Sequence, residues 1–276
     1  MSEEKLAVVG FDGLAMKALA DAGVDTIDGW PIMLNITKTK TEDEINCIKM
    51  AYAITDAAWF KTWELLRPGV TDLEVSAAAM YAAKCAGAEE LSRGHLLSGP
   101  LTYDRAFYNT GRIVQYGDLV YAAYCGMKYM GYNTCYYRTF SVGHEPNEKV
   151  KSWYQELIER INSVIEEIKP GRTTADAAKK FAPASHFGYQ EEAELLTMEI
   201  GHGLGMYNYG YPIVNRQFSI EHPQEFEVGM TLAVEGRVGA PGQGGVRIED
   251  AVVITESGPE LMDWWPRDEI LVAPFR

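Results

Sequence analysis

Two glutamates stand where strand sequences seldom carry them. In the stretch from Gly229 to Thr255, Glu235 follows Leu232-Ala-Val, and Glu249 lies between Val246-Arg-Ile and Ala251-Val-Val-Ile254. Each interrupts an otherwise apolar strand pattern. A carboxylate is costly to bury unless it is paired, hydrogen-bonded or bound to a metal. One such residue reads as a solvent-facing Glu or an ion pair with Arg237 or Arg247; two in the same strand context point to a shared site. Upstream, Gly201-His-Gly-Leu-Gly205 flanks His202 with glycines, which admit a ligand or backbone close to the imidazole. Carboxylates and an imidazole in one place can do acid–base work or hold a divalent cation. Neighbouring glutamates are expected to raise each other's pKa, leaving one protonated and the other a base. His95, after Gly94 and before the loop at Ser98-Gly-Pro100, is a further acid–base candidate, with a surface-loop histidine as the alternative.

The elements that must position these residues recur in two halves. Gly239-Ala-Pro-Gly-Gln-Gly-Gly245 links the two glutamate strands as a turn or loop. Thr41-Glu-Asp-Glu44 forms a capping box, and Ile45, Ile48, Ala51, Ile54 and Ala58 follow at helical spacing to about Leu66. Thr71-Asp-Leu-Glu74 opens a second helix to about Ala86, and residues 95–145 read as β structure. Asn147 to Lys169 is an amphipathic helix, Pro170-Gly-Arg-Thr opens another as Pro68-Gly-Val-Thr did, and short strands return from Leu196. Gly117-Asp-Leu-Val and Gly229-Met-Thr-Leu enter strands alike. The pattern predicts an internal pseudo-repeat, an antiparallel sheet covered by helices, and a site between the halves.

The chain has 276 residues, 47% of them hydrophobic, with 25 basic against 39 acidic residues and a net charge of −14. That size suffices for one large core, and the acidity argues against a nucleic-acid partner. No apolar run is long enough for a transmembrane helix. Cys47, Cys85, Cys125 and Cys135 form no CxxC, and reduced thiols in a cytoplasm are the default expectation.

The capped Thr41-Glu-Asp-Glu44 helix, Pro68-Gly-Val-Thr, Gly117-Asp-Leu-Val, Gly131-Tyr132, Arg138-Thr-Phe140, Gly201-His-Gly-Leu-Gly205, Gly229-Met-Thr, Glu235 and Gly245-Val-Arg-Ile-Glu-Asp250 occur in the order found in the pita-bread family of methionine aminopeptidases, prolidases and creatinases. The chain resembles that family over about residues 40–276. The resemblance implies an α+β fold, two pseudo-symmetric α-then-β halves with a curved antiparallel sheet covered by helices, and a homodimer. Residues 41–276 are expected to form the catalytic domain, and residues 1–40 a connector or the remnant of an N-terminal domain. Metallopeptidases of the family hold two metal ions with two aspartates, one histidine and two glutamates. His202, Glu235 and Glu249 match three of these ligands. Counting back from Arg138-Thr, the aspartates' places fall on Tyr124 and Cys135, and the family's second histidine falls near Tyr209. Against creatinases, the proton-shuttling histidine falls near Ala106, the acidic residue before Arg-Thr becomes Tyr137, and Glu249 stands where they carry a histidine.

Losing two carboxylates removes the bridging ligands that a dinuclear site needs. The expected function is therefore a metal-independent, creatinase-like enzyme acting on a small non-peptide molecule, by C–N hydrolysis or acid–base lyase chemistry. Its catalytic residues would be His202, Glu235, Glu249 and Tyr137. Tyr124, Cys135, Tyr136, Tyr207, Tyr209, His95 and Arg247 would line an acidic, tyrosine-rich pocket, although alternation forbids Tyr136 and Tyr137 from both facing it. Arg138 and Arg247 would brace the glutamates. Two alternatives stand. One is an Xaa-Pro peptidase with an altered metal site, in which His202, Glu235 and Glu249 hold a single divalent ion with Cys135 as a thiolate ligand. The other is an inactive binding module of the same fold.

Overall fold

The computed structural model describes residues 4–103, 108–195 and 199–273. Ala106, where the resemblance places a creatinase histidine, lies outside the described residues.

In chain order the elements are β1 (Leu6–Val8), α1 (Gly13–Asp21), β2 (Thr26–Asp28), α2 (Trp30–Ile36), α3 (Glu42–Leu65), α4 (Asp72–Cys85), β3 (Leu91–Ser98), β4 (Leu119–Tyr129), β5 (Tyr132–Asn133), β6 (Tyr137–Val142), α5 (Glu148–Ile165), α6 (Thr174–Ala178), β7 (Ile200–Gly203), β8 (Gly210–Val214), β9 (Thr231–Ala240), β10 (Gly244–Thr255), β11 (Gly258–Leu261) and β12 (Leu271–Ala273). β1 and β2 pair in parallel as a separate two-stranded sheet. The main sheet runs β3-β4-β6-β10-β9-β7-β8, with β5 on β4, β11 on β10 and β12 on β6. The first α-then-β half supplies β3, β4 and β6, and the second supplies β7 to β10. They meet where β6 runs antiparallel to β10, with Tyr137 opposite Glu249. This is the two-halved, helix-covered antiparallel sheet that the repeat pattern predicts, in the pita-bread arrangement that the family resemblance implies.

Both capping boxes form. The Thr41 hydroxyl accepts from the Glu44 amide at 3.3 Å while the Glu44 carboxylate accepts from the Thr41 amide at 2.7 Å. Thr71 and Glu74 do the same for α4. Each box satisfies two backbone donors that a helix start leaves open. α5 ends at Ile165, earlier than its apolar pattern suggests, and α6 is only five residues long. The β9–β10 hairpin is tighter than its glycine-rich link suggests, because the strands continue through Gly239 and Gly245 in register.

Helices cover one face of the sheet. Leu157 and Ile161 of α5 cluster with Val234, Val246 and Ile248 of β9 and β10. Trp59 of α3 meets the rings of Tyr124 at 4.6 Å and Tyr136 at 5.3 Å. Burying side chains of this size stabilises the fold by about 1.5–3 kcal/mol each. The opposite face, from the same strands, carries Glu235 and Glu249. No helix among the described residues is long and apolar enough to cross a membrane.

The seam between the halves is fixed by Arg138 on β6. One terminal nitrogen donates to the carbonyls of Tyr137 at 2.9 Å and Glu249 at 2.6 Å. The other lies 2.8 Å from Asp263 and 3.0 Å from Asp250. Asp250 also meets Arg267 at 2.7 Å, and Asp263 accepts the Ala251 amide at 2.6 Å. Arg138 thus holds Glu249 through its backbone, whereas the sequence led us to expect a partner for its carboxylate.

Two outcomes follow for stability. Arg138→Met leaves two carboxylates buried beside each other and should lower unfolding free energy by about 3–5 kcal/mol in urea titrations. Asp56 of α3, half-buried near Arg138, has its pKa pushed up from 3.8 to about 6 by burial, which Arg138 partly opposes. Its protonated form therefore favours the folded state, and the native protein loses stability as pH rises from about 4 through about 6. Asp56→Asn should match the native protein at low pH and exceed it at neutral pH in the same titrations; equal stabilities at both pH values would refute this.

Candidate active site

Strand pleat decides what faces the site. Glu235 of β9 lies directly opposite Glu249 of β10, and Glu249 opposite Tyr137 of β6. Residues opposite each other in a ladder point to the same face. On the other side of β9, Ile200 pairs with Glu235 and His202 with Ala233, which puts His202 on that face too. The imidazole Nε2 stands 3.4 Å from Glu249 Oε1. One donor atom from each of His202, Glu235 and Glu249 lies within 4.8 Å of the others, and all three residues are buried. Gly203 makes the turn after His202 possible, because a Cβ there would sit 2.0 Å from the carbonyl oxygen of Tyr211. The Tyr209 ring lies against the imidazole, with centroids 4.2 Å apart.

The same rule sorts the tyrosines. β4 pairs with β6 through Tyr121–Thr139 and Ala123–Tyr137, so its odd-numbered residues face the site. Tyr124 does not, contrary to the sequence expectation. Its hydroxyl bonds the Thr62 hydroxyl of α3, and its ring packs on Trp59. Tyr136 likewise turns to the helices, against Tyr52 and Trp59, and its hydroxyl accepts the Trp265 amide at 3.0 Å. Tyr207 meets Trp30 of α2 edge-on at 4.8 Å, at the contact with the N-terminal residues. Tyr137 and Tyr209 remain beside the glutamates. Burial, and then the charge of Glu235, raises both phenols far above the usual tyrosine value, so they stay neutral donors.

Two site residues escaped the sequence reading. Cys125, an odd-numbered β4 residue, brings its sulfur to 2.7 Å from that of Cys135. One donor atom from each of Cys125, Cys135 and Glu249 lies within 4.8 Å of the others. Fixed spacing put one aspartate's place on Tyr124, whereas the Ala123–Tyr137 register turns its neighbour Cys125 toward the site. Burial raises the pKa of both thiols. The second is Tyr121. His95, a buried β3 residue opposite Ala123, places Nε2 3.1 Å from the Tyr121 hydroxyl. The Tyr121 ring meets Tyr137 at 5.4 Å and carries the Arg247 guanidinium at 4.6 Å. Arg247 also donates to the carbonyls of Thr102 and Tyr103, at 3.3 and 3.2 Å. His95 is thus a strand residue of the site face, not a loop residue.

The fold and site define a pita-bread protein with a buried histidine–glutamate cluster at the seam of its halves. Residues 46–256 match the model of metallopeptidase family M24, and the chain belongs to that family of hydrolases. It is 31% identical over 265 residues to a probable dipeptidase PepE of Mycobacterium bovis, covering 95% of this chain and 68% of that protein. It is 30% identical over 234 residues to an Xaa-Pro dipeptidase of Pyrococcus furiosus, covering 81% of this chain and 62% of that one. The crystal structure of dipeptidase PepE from Mycobacterium ulcerans superposes with a TM-score of 0.82 at 26% identity, over 98% of this chain and 71% of that chain. These relatives overturn the expectation of a metal-independent, creatinase-like hydrolase or lyase with a non-peptide small-molecule substrate. That expectation rested on the two missing aspartates, and it weighed their loss above the retained His202, Glu235 and Glu249.

The two tyrosines on opposite sides of the sheet should separate in mutants. Tyr124→Phe removes only the bond to Thr62 and should lower stability by about 0.5–1.5 kcal/mol with turnover unchanged. Tyr137→Phe should lower turnover. Steady-state kinetics beside thermal melts would measure both, and a turnover loss confined to Tyr124→Phe would reverse the facing assigned here.

Proposed function

We propose that the protein is a metal-dependent dipeptidase, hydrolysing the peptide bond of short peptides, Xaa-Pro dipeptides among them. The observation that carries this reading is the buried convergence of His202, Glu235 and Glu249 within 4.8 Å, in a chain of the M24 family. Two carboxylates on adjacent strands, shielded from water, are costly unless a cation or protons offset their charge. An imidazole nitrogen and carboxylate oxygens are donors suited to a divalent ion. The set fits one ion. It does not fit the dinuclear arrangement of the family, since no aspartate is available on β4 or β6 to bridge two.

When bound, the cation supplies Lewis-acid polarisation of a carbonyl oxygen and activation of water. The chain's own groups do the rest. Glu235 is placed to take the proton of an attacking water and to pass it to the leaving amine. Glu249 and the imidazole of His202 fix the donor geometry. Tyr137 and Tyr209 are held as neutral phenols, so their hydroxyls can donate to the oxyanion that develops when the carbonyl is attacked. Arg138 holds the backbone of Glu249 in place, which keeps the acid beside its partner.

The test is hydrolysis of a dipeptide panel by chelator-stripped protein resupplied with single divalent metals. Metal should restore amino-acid release, and Glu235→Gln should lower kcat by about 10²–10⁴-fold with the melting curve retained. Absence of hydrolysis with every metal tried, or full activity in Glu235→Gln, would overturn the reading.

A further inference from the structure

We infer that the site is built for a thiophilic divalent cation of the zinc type, ligated by Cys125, Cys135 and Glu249, the last shared with the His202–Glu235 pair. This rests on the metal-dependent reading above and adds a ligand class to it. The metal ligands that the family resemblance implies are carboxylates and an imidazole. Here Cys125 of β4 and Cys135, two residues before β6, each bring a sulfur within 4.8 Å of a Glu249 carboxylate oxygen.

Three features support ligation over plain packing. First, the sulfurs are not scattered in apolar surroundings: both converge with Glu249, which also belongs to the histidine–glutamate cluster. Two buried cysteines acting as small hydrophobes have no need to meet a buried carboxylate. Second, the backbone is arranged to bring them together. Gly126 follows Cys125 with φ +74°, and its amide donates to the Thr134 carbonyl at 2.6 Å. A Cβ there would collide with the Ser92 hydroxyl at 1.6 Å. Third, Cys135 is held from outside. The Tyr52 hydroxyl of α3 donates to the Cys135 carbonyl at 2.8 Å and accepts its amide at 3.2 Å. Such outer bonds orient ligands in metal sites.

Donor chemistry then selects the ion. Oxygen donors alone suit magnesium, calcium and manganese, whereas thiolates shift a site toward zinc. Each ligating thiol gives up its proton to solvent as the sulfur–metal bond forms, with no change in oxidation state.

The test is cobalt substitution of the metal-free full-length chain under reducing conditions, read by absorption and not by turnover. One equivalent of cobalt should bind with a thiolate-to-cobalt charge-transfer band in the near ultraviolet, and zinc should displace it while manganese does not. Cys125→Ser and Cys135→Ser should each remove intensity from the band, and the double variant should weaken zinc binding beyond the roughly 10–100-fold that changes in supporting residues cause. Cys47→Ser and Cys85→Ser should leave the band intact. The native spectrum decides even if a site variant fails to fold. Cobalt bound without a thiolate band, no stoichiometric cobalt, or a Cys125–Cys135 disulfide that persists under reductant would each overturn the inference. The two proposals fail separately. A thiolate band in a protein that hydrolyses no peptide would retain this one and sink the dipeptidase reading. Manganese-supported hydrolysis without the band would do the reverse.

Discussion

The structure depends on a buried arginine at the junction of its two halves. Arg138 reaches from β6 across to β10 and gathers the Glu249 carbonyl, Asp250 and Asp263 around one guanidinium. A planar cation with five donors can satisfy carbonyls and carboxylates at once, which a lysine cannot. Removing either sign would leave the other uncompensated in the core. Because these partners bracket Glu249, the register of β6 on β10 is tied to the position of a site carboxylate. Stability and site geometry are therefore set by one network.

The face of the sheet opposite the helices inherits its character from that register. Once Tyr137 stands opposite Glu249 and Glu249 opposite Glu235, the pleat leaves no freedom over what else points inward. Tyr121, Cys125 and Cys135 must face the glutamates, while Tyr124 and Tyr136 must face α3. A one-residue slip would exchange the two sets and put tyrosines bonded to Thr62 and Trp265 beside the acids. The aromatic packing of Trp59 on the helix face thus protects the composition of the site on the other.

Much of this was legible in the sequence because it is written in local signals. Capping boxes announced α3 and α4, and the repeated punctuation announced the two halves. Glu235 and Glu249 stood out as charges in apolar strands, and the glycines around His202 marked the third member. What was not legible depended on pairing between distant strands. Tyr124 and Cys125 are neighbours, and nothing local says which faces inward; only the Ala123–Tyr137 register does. Arg138 looked like a brace for carboxylates on its own strand pair, whereas its strongest partners include Asp263, beyond β10 in sequence. The functional expectation failed for a related reason. It weighed the loss of two aspartates, with Tyr124 and Cys135 in their places, above the retained His202, Glu235 and Glu249, and the dipeptidase relatives overturn it.

Under the proposed thiolate ligation, charge balance favours one ion over two. Glu235 and Glu249 carry two negative charges, and Cys125 and Cys135 add two more once they ligate. Arg237 and Arg247 pair with each other on β9 and β10, two residues along from the glutamates and on the same face. Two arginines and one divalent ion supply four positive charges against four negative ones. A second divalent ion would leave an excess of two positive charges in a buried space, where uncompensated charge is most costly. Under the proposed ligation, Cys125 and Cys135 would set the number of ions and their type together, while the fold that presents the ligands stays the same.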